Sequence, residues 1–386
     1  MRTNVYNVFT RAIGATTELV RWTVALAVCA LALAISASAQ TYITFDPLGS
    51  VLTEAQAINN AGTVAGVYID ANNHDHGFVR AADGTITRFD VLGEGTGPGQ
   101  GVNSAYSINP NGDIAGFYTD DAYVYHGYLR FRDGSFTTFD APGAGTGIGQ
   151  GTAPFTINPA GQIAGEYLDN DNVFHGFVRA SNGTITTFDA PGAGLNPGQG
   201  TFVSMVDGLS PDGTISGDYV NQGNVFDSTQ VFHAFLRGPD GTFTEFDVPG
   251  AGTGPGQGTE AGGINASGAV AGSYADPDSS VHGYVRGFHT ALSRFDVPGA
   301  SQGTFASIIN ASGEIGGAYV DAVGANHGFV RAPNGAITKF DVPGAGTGSG
   351  QGTFSSDNNA AGAITGWYVD SSNVYHGFLR TAHDDK

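Results

Sequence analysis

The chain has 386 residues, 40% of them hydrophobic, with 61 glycines, one cysteine and a formal net charge of −20. So acidic a chain is repelled by nucleic acid and by anionic membrane surfaces, which argues against both as partners; divalent cations and neutral sugars stay open as ligands. Glycine at about twice the usual share would suggest low complexity, but here the glycines recur at fixed places in a repeat.

Residues 1–39 differ from the rest. Arg2, Arg11 and Arg21 precede an apolar run from Val24 to Ile35, and Ala37-Ser38-Ala39 has the small-residue form of a cleavage site. This reads as a secretory signal peptide, with an uncleaved anchor as the alternative. Cys29, the sole cysteine, lies inside that run, so the mature chain is expected to have no disulfide and to be extracytoplasmic, in the periplasm or outside the cell.

From residue 40 to about 380 one pattern repeats. A lone strand, Tyr42-Ile43-Thr44-Phe45-Asp46, comes first. A His-[Gly/Ala]-[Phe/Tyr]-[Val/Leu]-Arg motif then starts at His76, His126, His175, His233, His282, His327 and His376. Phe-Asp pairs stand at Phe45, Phe89, Phe139, Phe188, Phe246, Phe295 and Phe340, and a Gly-x-Tyr triplet follows each Ile-Asn-x-x-Gly-type turn. The repeats cover about 45–80, 89–130, 139–179, 188–237, 246–286, 295–331 and 340–380, and 381–386 read as a frayed tail. Each supplies short strands rich in Val, Ile, Phe, Tyr and Thr, punctuated by Gly, Asn, Asp and Ser. No helical period is visible.

Four strands per unit, about 45 residues long, predict an all-β fold: a seven-bladed β-propeller with four antiparallel strands per blade and 28 strands in all. The lone strand 42–46 is expected to complete the last blade, which ends at its third strand, His376 to Arg380, and so to remove the free edge. An open solenoid of hairpins is the alternative.

Distances within the repeat locate the variable parts. Turn glycine to Tyr is always six residues, and His to the next Phe is thirteen in all six copies that have one. Tyr to His is eight except in the fourth copy, where it is fourteen. Phe-Asp to the next turn glycine also varies. These variable connections are expected on one face of the ring, where a binding site is sought. A single ligand site is expected near the long fourth loop, Val220 to Phe232, and the short sixth crossing loop, Asp296 to Thr304.

The crossing loops carry Gly-Gln-Gly or a near copy at Gln100, Gln150, Gln199, Gln257, Gln302 and Gln351. With a strand rather than a helix following, this is no phosphate cradle. The amides either satisfy neighbouring backbone or form a collar that binds sugar hydroxyls; Asn224 and Asp227 on the long loop join that candidate set. Asp169 and Asp171 alternate as in a calcium loop but lack the Gly and distal Glu of an EF-hand; an Asx-turn is the plainer reading, with loosely held calcium as the other. The seven His lie too far apart for a shared metal and read as structural, each bonded to a carboxylate or carbonyl of its own blade. The Arg closing each third strand is expected at the rim, paired with local carboxylates or carbonyls. No catalytic triad order stands out.

His233-Ala234-Phe235, with Ile-Asn-x-x-Gly-x-Ile-Ala-Gly in other units, resembles the extracellular HAF repeat of secreted bacterial proteins. That resemblance spans the mature chain, implies secretion and repetition, and brings no catalytic residues. The sequence thus favours a secreted propeller that binds an extracellular glycan or protein without chemistry of its own. The alternative is a hydrolase or lyase with a carboxylate site on the loop face, assisted by calcium; a surface component with a purely structural role is the third reading.

Overall fold

In the computed structural model, residues 40–287 and 292–381 are described. The leader 1–39 and the residues after 381 lie outside them. Thr381, expected in the tail, ends the strand Tyr375–Thr381; the rest of that expected tail, 382–386, lies outside the described residues.

The described residues form 29 strands and no α-helix. The sheets are built from one template. In the third, the inner strand Gly151–Ile157 pairs with Ile163–Leu168, which pairs with Phe174–Arg179, which pairs with Ile185–Phe188, all antiparallel. The twenty-ninth strand arises because the second unit's inner strand is split into Gly101–Val102 and Ser107–Ile108. In the last unit Thr41–Phe45 lies beside Tyr375–Thr381, and Asp46 bonds His376 at 2.8 Å. This is an all-β fold of propeller type.

Three devices join neighbouring sheets. First, one aromatic per unit is fully buried at the same place in the third strand: Phe78, Tyr128, Phe177, Phe235, Tyr284, Phe329 and Phe378. Burial of each stabilises by about 1.5–3 kcal/mol. Second, the strand-end Arg does not sit at the rim. Arg179 lies 4.9 Å over the ring of Phe139, on the preceding sheet's outer strand, and is only 7% exposed. The same pairing joins Arg80 to Phe45 and Arg380 to Phe340. A guanidinium has a weakly hydrated planar face that stacks on an aromatic ring, so the end of this strand is buried where its charge alone suggested solvent.

Third, the turn asparagine has two jobs. Its Oδ1 accepts the N–H groups two and four residues on, as Asn158 does from Ala160 and Gln162. Its Nδ2 reaches the next unit: Asn265 donates to the Asn310 carbonyl, Asn310 to that of Asn359, and Asn359 to that of Asn59, each at 3.1 Å. Sequence reading assigned these residues the turn alone.

The second Gly of Gly-Gln-Gly is where the chain crosses between sheets. Gly151 has φ +121°, and a Cβ there would sit 2.1 Å from the Tyr125 carbonyl oxygen of the preceding sheet. Only glycine permits both the backbone angle and the approach.

Candidate functional site

The His motifs form repeated local assemblies that share an Nδ1–Asp bond. His175 Nδ1 lies 2.8 Å from Asp189 of the Phe-Asp pair, and Nε2 lies 3.3 Å from Asp169. The ring stacks on Tyr167 at 4.9 Å. His76, His126, His233, His282, His327 and His376 have equivalent Nδ1 partners in Asp90, Asp140, Asp247, Asp296, Asp341 and Asp46. The hydrogen bond to Asp189 raises the His175 pKa, and that to Asp247 raises the pKa of His233.

Asp169 caps its own loop: Oδ1 accepts the N–H groups of Asp171 and Val173, while Oδ2 faces His175. Asp171 is exposed. Among the described residues no group of three or more His, Cys, Asp or Glu side chains is placed to hold a metal ion.

The glutamine amides are engaged within the loops. Gln150 Oε1 accepts the Gly147 N–H, and Nε2 donates to Asn172 Oδ1 on the Tyr-to-His loop of the same unit. Gln100, Gln199, Gln257, Gln302 and Gln351 make the corresponding Nε2 bonds to Asp121, Gly223, Pro277, Ala322 and Ser371 carbonyls. On the long fourth loop, Asn224 caps a short 3₁₀ turn, Val225–Asp227, and Asp227 accepts from the Thr229 N–H and hydroxyl.

A second departure from the repeat lies in the inner strand of the fourth unit. From Thr201 to Ser210 there are nine residues, against six from Thr152 to Asn158. Length variation is therefore not confined to the loop face. The extra residues form the turn Met205–Asp207, beyond the strand Gly200–Val203. Asp207 stands at φ +47°, its carbonyl accepts the Ile264 N–H at 2.9 Å, and its carboxyl lies close enough to that of Asp357 in the seventh unit for each to perturb the other.

On one side of this segment opens a cavity of about 650 Å³. Its apolar walls include Phe174, Phe202, Phe232, Phe305, Met205 and Val225; its polar groups include Glu166, Asp218, Glu260, Ser204 and Ser307. Val225 belongs to the long fourth loop, and Phe305 follows the short sixth crossing loop, so both breaks in symmetry border it. Phe174 and Phe202 pack with ring centres 4.5 Å apart.

The three acids have unusual surroundings. Glu166 is 9% exposed, and burial pushes its carboxyl up to about 8 against a bond from the Val203 N–H. Asp218 accepts the Ala261 N–H at 2.5 Å; burial, together with the charges of Glu260 and Glu166, raises it well above the usual range. Glu260 is exposed to solvent where it borders the cavity, and desolvation by the surrounding protein still raises its carboxyl. Sequence reading missed these residues. Their signal was an acid at the middle of Gly-x-Tyr in only two of seven copies, Gly165-Glu166-Tyr167 and Gly217-Asp218-Tyr219.

No family model and no curated protein matches this sequence. Among solved structures, it resembles the BP39L lectin from Burkholderia pseudomallei at 13% identity and TM-score 0.50, over 86% of this chain and 99% of the lectin. It resembles a puromycin hydrolase at 14% identity and TM-score 0.52, over 88% of this chain and 56% of the hydrolase. A lectin of Aleuria aurantia, described as a six-bladed β-propeller with a fucose recognition mode, aligns at 11% identity and TM-score 0.39, over 87% and 93%. At such identities the likeness speaks to architecture alone, and that architecture is the all-β propeller.

Proposed function

We propose that this is a secreted seven-bladed propeller, closed into a ring by residues 42–46, that binds an extracellular ligand without transforming it. Neutral glycans are the first ligand class, and membership of the extracellular HAF-repeat family is part of the same reading. Closure is supported by the Asp46–His376 bond, by Arg80 over Phe45, and by Asn359 reaching Asn59. Secretion rests on the leader sequence.

The observation that carries the binding reading is the apolar cavity beside the fourth unit's insertion, where the repeat is broken. Phenylalanine faces such as Phe202 and Phe232 suit the C–H faces of a sugar ring, and a few placed polar groups fix orientation. With Glu166 raised to about 8, its carboxyl is mostly uncharged near neutrality and can both donate to and accept from hydroxyls. A neutral polyhydroxyl ligand fits that state better than an anion does. Two of the three named structural relatives are lectins, and a glycan ligand is carried here from them only as a proposal. A glycan array and polysaccharide pull-down test it. Retention that falls at least about tenfold, or 1.4 kcal/mol, in Phe202→Ala is expected; no retention on any polysaccharide overturns the glycan reading.

The second reading is a carboxylate-based hydrolase or lyase, favoured by three acids sharing one cavity, one held protonated as a general acid must be. Release of reducing ends from a bound polysaccharide, lost in both Glu166→Gln and Glu260→Gln, would establish it in place of the first.

A further inference from the structure

Two hollows border the Met205–Asp207 turn. One is a recess of about 200 Å³ where the inner strands of all seven units end. The other is the larger cavity lined by Phe174, Phe202 and Phe232, and the long fourth loop adds to its edge. Fourteen residues separate Tyr219 from His233 there, against eight in the other units. The added length builds a tied turn. Asn224 Oδ1 accepts the Phe226 N–H at 2.8 Å and opens the 3₁₀ turn Val225–Asp227. The Thr229 hydroxyl donates to the Asp227 carboxylate at 2.6 Å and accepts the Asn224 N–H at 3.0 Å. The Val225 N–H donates to the Gly198 carbonyl of the crossing loop at 3.1 Å. Asn224 and Asp227 thus spend their polar groups on setting the loop.

What the loop presents is Phe226. It is 59% exposed, more than any other aromatic side chain among the described residues. None of the bonds that set the turn needs a phenyl ring at that place, and a large apolar group held in water is informative where it adjoins a hollow. Its ring centre lies 5.9 Å from that of Phe174. Phe174 lies 4.5 Å from Phe202, and Phe202 lies 6.3 Å from Phe232. The last three line the cavity; Phe226 carries the row of rings onto the exposed surface. A single sugar needs only the hollow. A row of rings that continues outside it, on a loop already fixed in place, suits a ligand that continues too.

We propose that Phe226 is a specificity-determining residue that makes the cavity an oligosaccharide site, selecting neutral chains of several sugar residues over single sugars. One sugar packs against Phe202 and Phe232, and a following one covers the Phe226 ring. The inference rests on the reading of this cavity as a glycan site and narrows it to the length of the ligand.

Calorimetric titration of the chain with neutral oligomers of glucose, galactose, mannose and xylose, each from one to six residues long, tests it. For the sugar that binds best, affinity should rise at least about tenfold from one residue to six, and Phe226→Ala should cut that rise at least about fivefold. Phe226→Trp, which keeps a flat aromatic face, should retain it. Leu92→Ala, which removes an exposed side chain of the first crossing loop, should leave it unchanged. Equal affinity for one and six residues, an unaltered rise in Phe226→Ala, or a lost rise in Leu92→Ala each overturns the inference while sugar binding itself stands. Absence of binding to every oligomer also overturns it, and the glycan reading falls with it only when the array and pull-down are empty as well. If Phe226→Ala fails to fold, the length series of the unaltered chain and Phe226→Leu, apolar but without a flat face and expected to lose the rise, still decide.

Discussion

Glu166→Gln should make the protein more stable at neutral pH, and the gain should depend on pH in a defined direction. The side chain is 9% exposed, and its carboxyl is raised from 4.5 to about 8 by burial. Below pH 4.5 the group is protonated in both folded and unfolded chains and contributes nothing. As pH rises, the unfolded chain ionises first, and stability falls until the folded group ionises near pH 8. At pH 7 this difference has an upper bound of about 3 kcal/mol. Water entering the cavity and local relaxation reduce it to roughly 1–2 kcal/mol. Glutamine keeps an oxygen for the Val203 N–H and never ionises. Thermal melting should therefore show Glu166→Gln equal to the parent at pH 4 and higher by roughly 2–5 °C at pH 7 to 8. A gap that is the same at both ends of the range, or a variant less stable at pH 7, would refute the assignment of desolvation as the dominant cause.

Other substitutions probe the joints between sheets. Gly151→Ala forces a Cβ to within 2.1 Å of the Tyr125 carbonyl at φ +121°, and urea unfolding should register a loss of ~3 kcal/mol or more; a change under ~1 kcal/mol contradicts the crossing geometry. Asn359→Ala removes both the turn acceptor and the donor to Asn59, at about 1–3 kcal/mol, and its effect should exceed that of Asn111→Ala in another turn. Asp189→Asn removes the bond that raises His175. A raised histidine stabilises below its unfolded pKa of about 6.5 and loses that contribution as pH rises through its folded value. The parent should thus outlast the variant by a larger margin in melts at pH 5.5 than at pH 8.5, and a constant margin would remove the His–Asp pair from the account.

The repeat made most of the architecture readable. Turn glycines, strands rich in β-formers and constant spacings impose four strands per unit, and the lone Tyr42-Ile43-Thr44-Phe45 has an unpaired last blade to join. Arg179 was misread because an arginine followed by a turn usually faces water. What the reading lacked was the ring of Phe139, forty residues earlier and one sheet away. The fourth unit's insertion was hidden by the choice of ruler. Measuring from Phe188 to Gly213 merges the crossing loop with the inner strand, whereas measuring from Thr201 to Ser210 isolates the three added residues. The acids of the cavity were overlooked for a different reason. The loop aspartates outnumber them, yet Asp70, Asp120, Asp276, Asp321 and Asp370 are held below the usual range by backbone or histidine bonds, against some desolvation; they are turn-builders.

An array of near-copies can hold a unique site only where the copies differ. The outer strands differ least: Phe139, Phe188, Phe295 and Phe340 all take the same place under an Arg. The departures that change chemistry fall elsewhere. Glu166 and Asp218 replace Val67, Phe117 and Ala318 at the centre of Gly-x-Tyr; Met205–Asp207 are inserted; Asp357-Asn358 displace Ala57-Ile58 of the first unit. All of these line one of two neighbouring hollows. A passive scaffold would tolerate such changes on exposed loops, where an acid stays solvated, rather than among the two innermost strands of each sheet, where burying one is costly. The position of these residues, more than their number, is what makes the two innermost strands of each sheet the place to test the proposed binding.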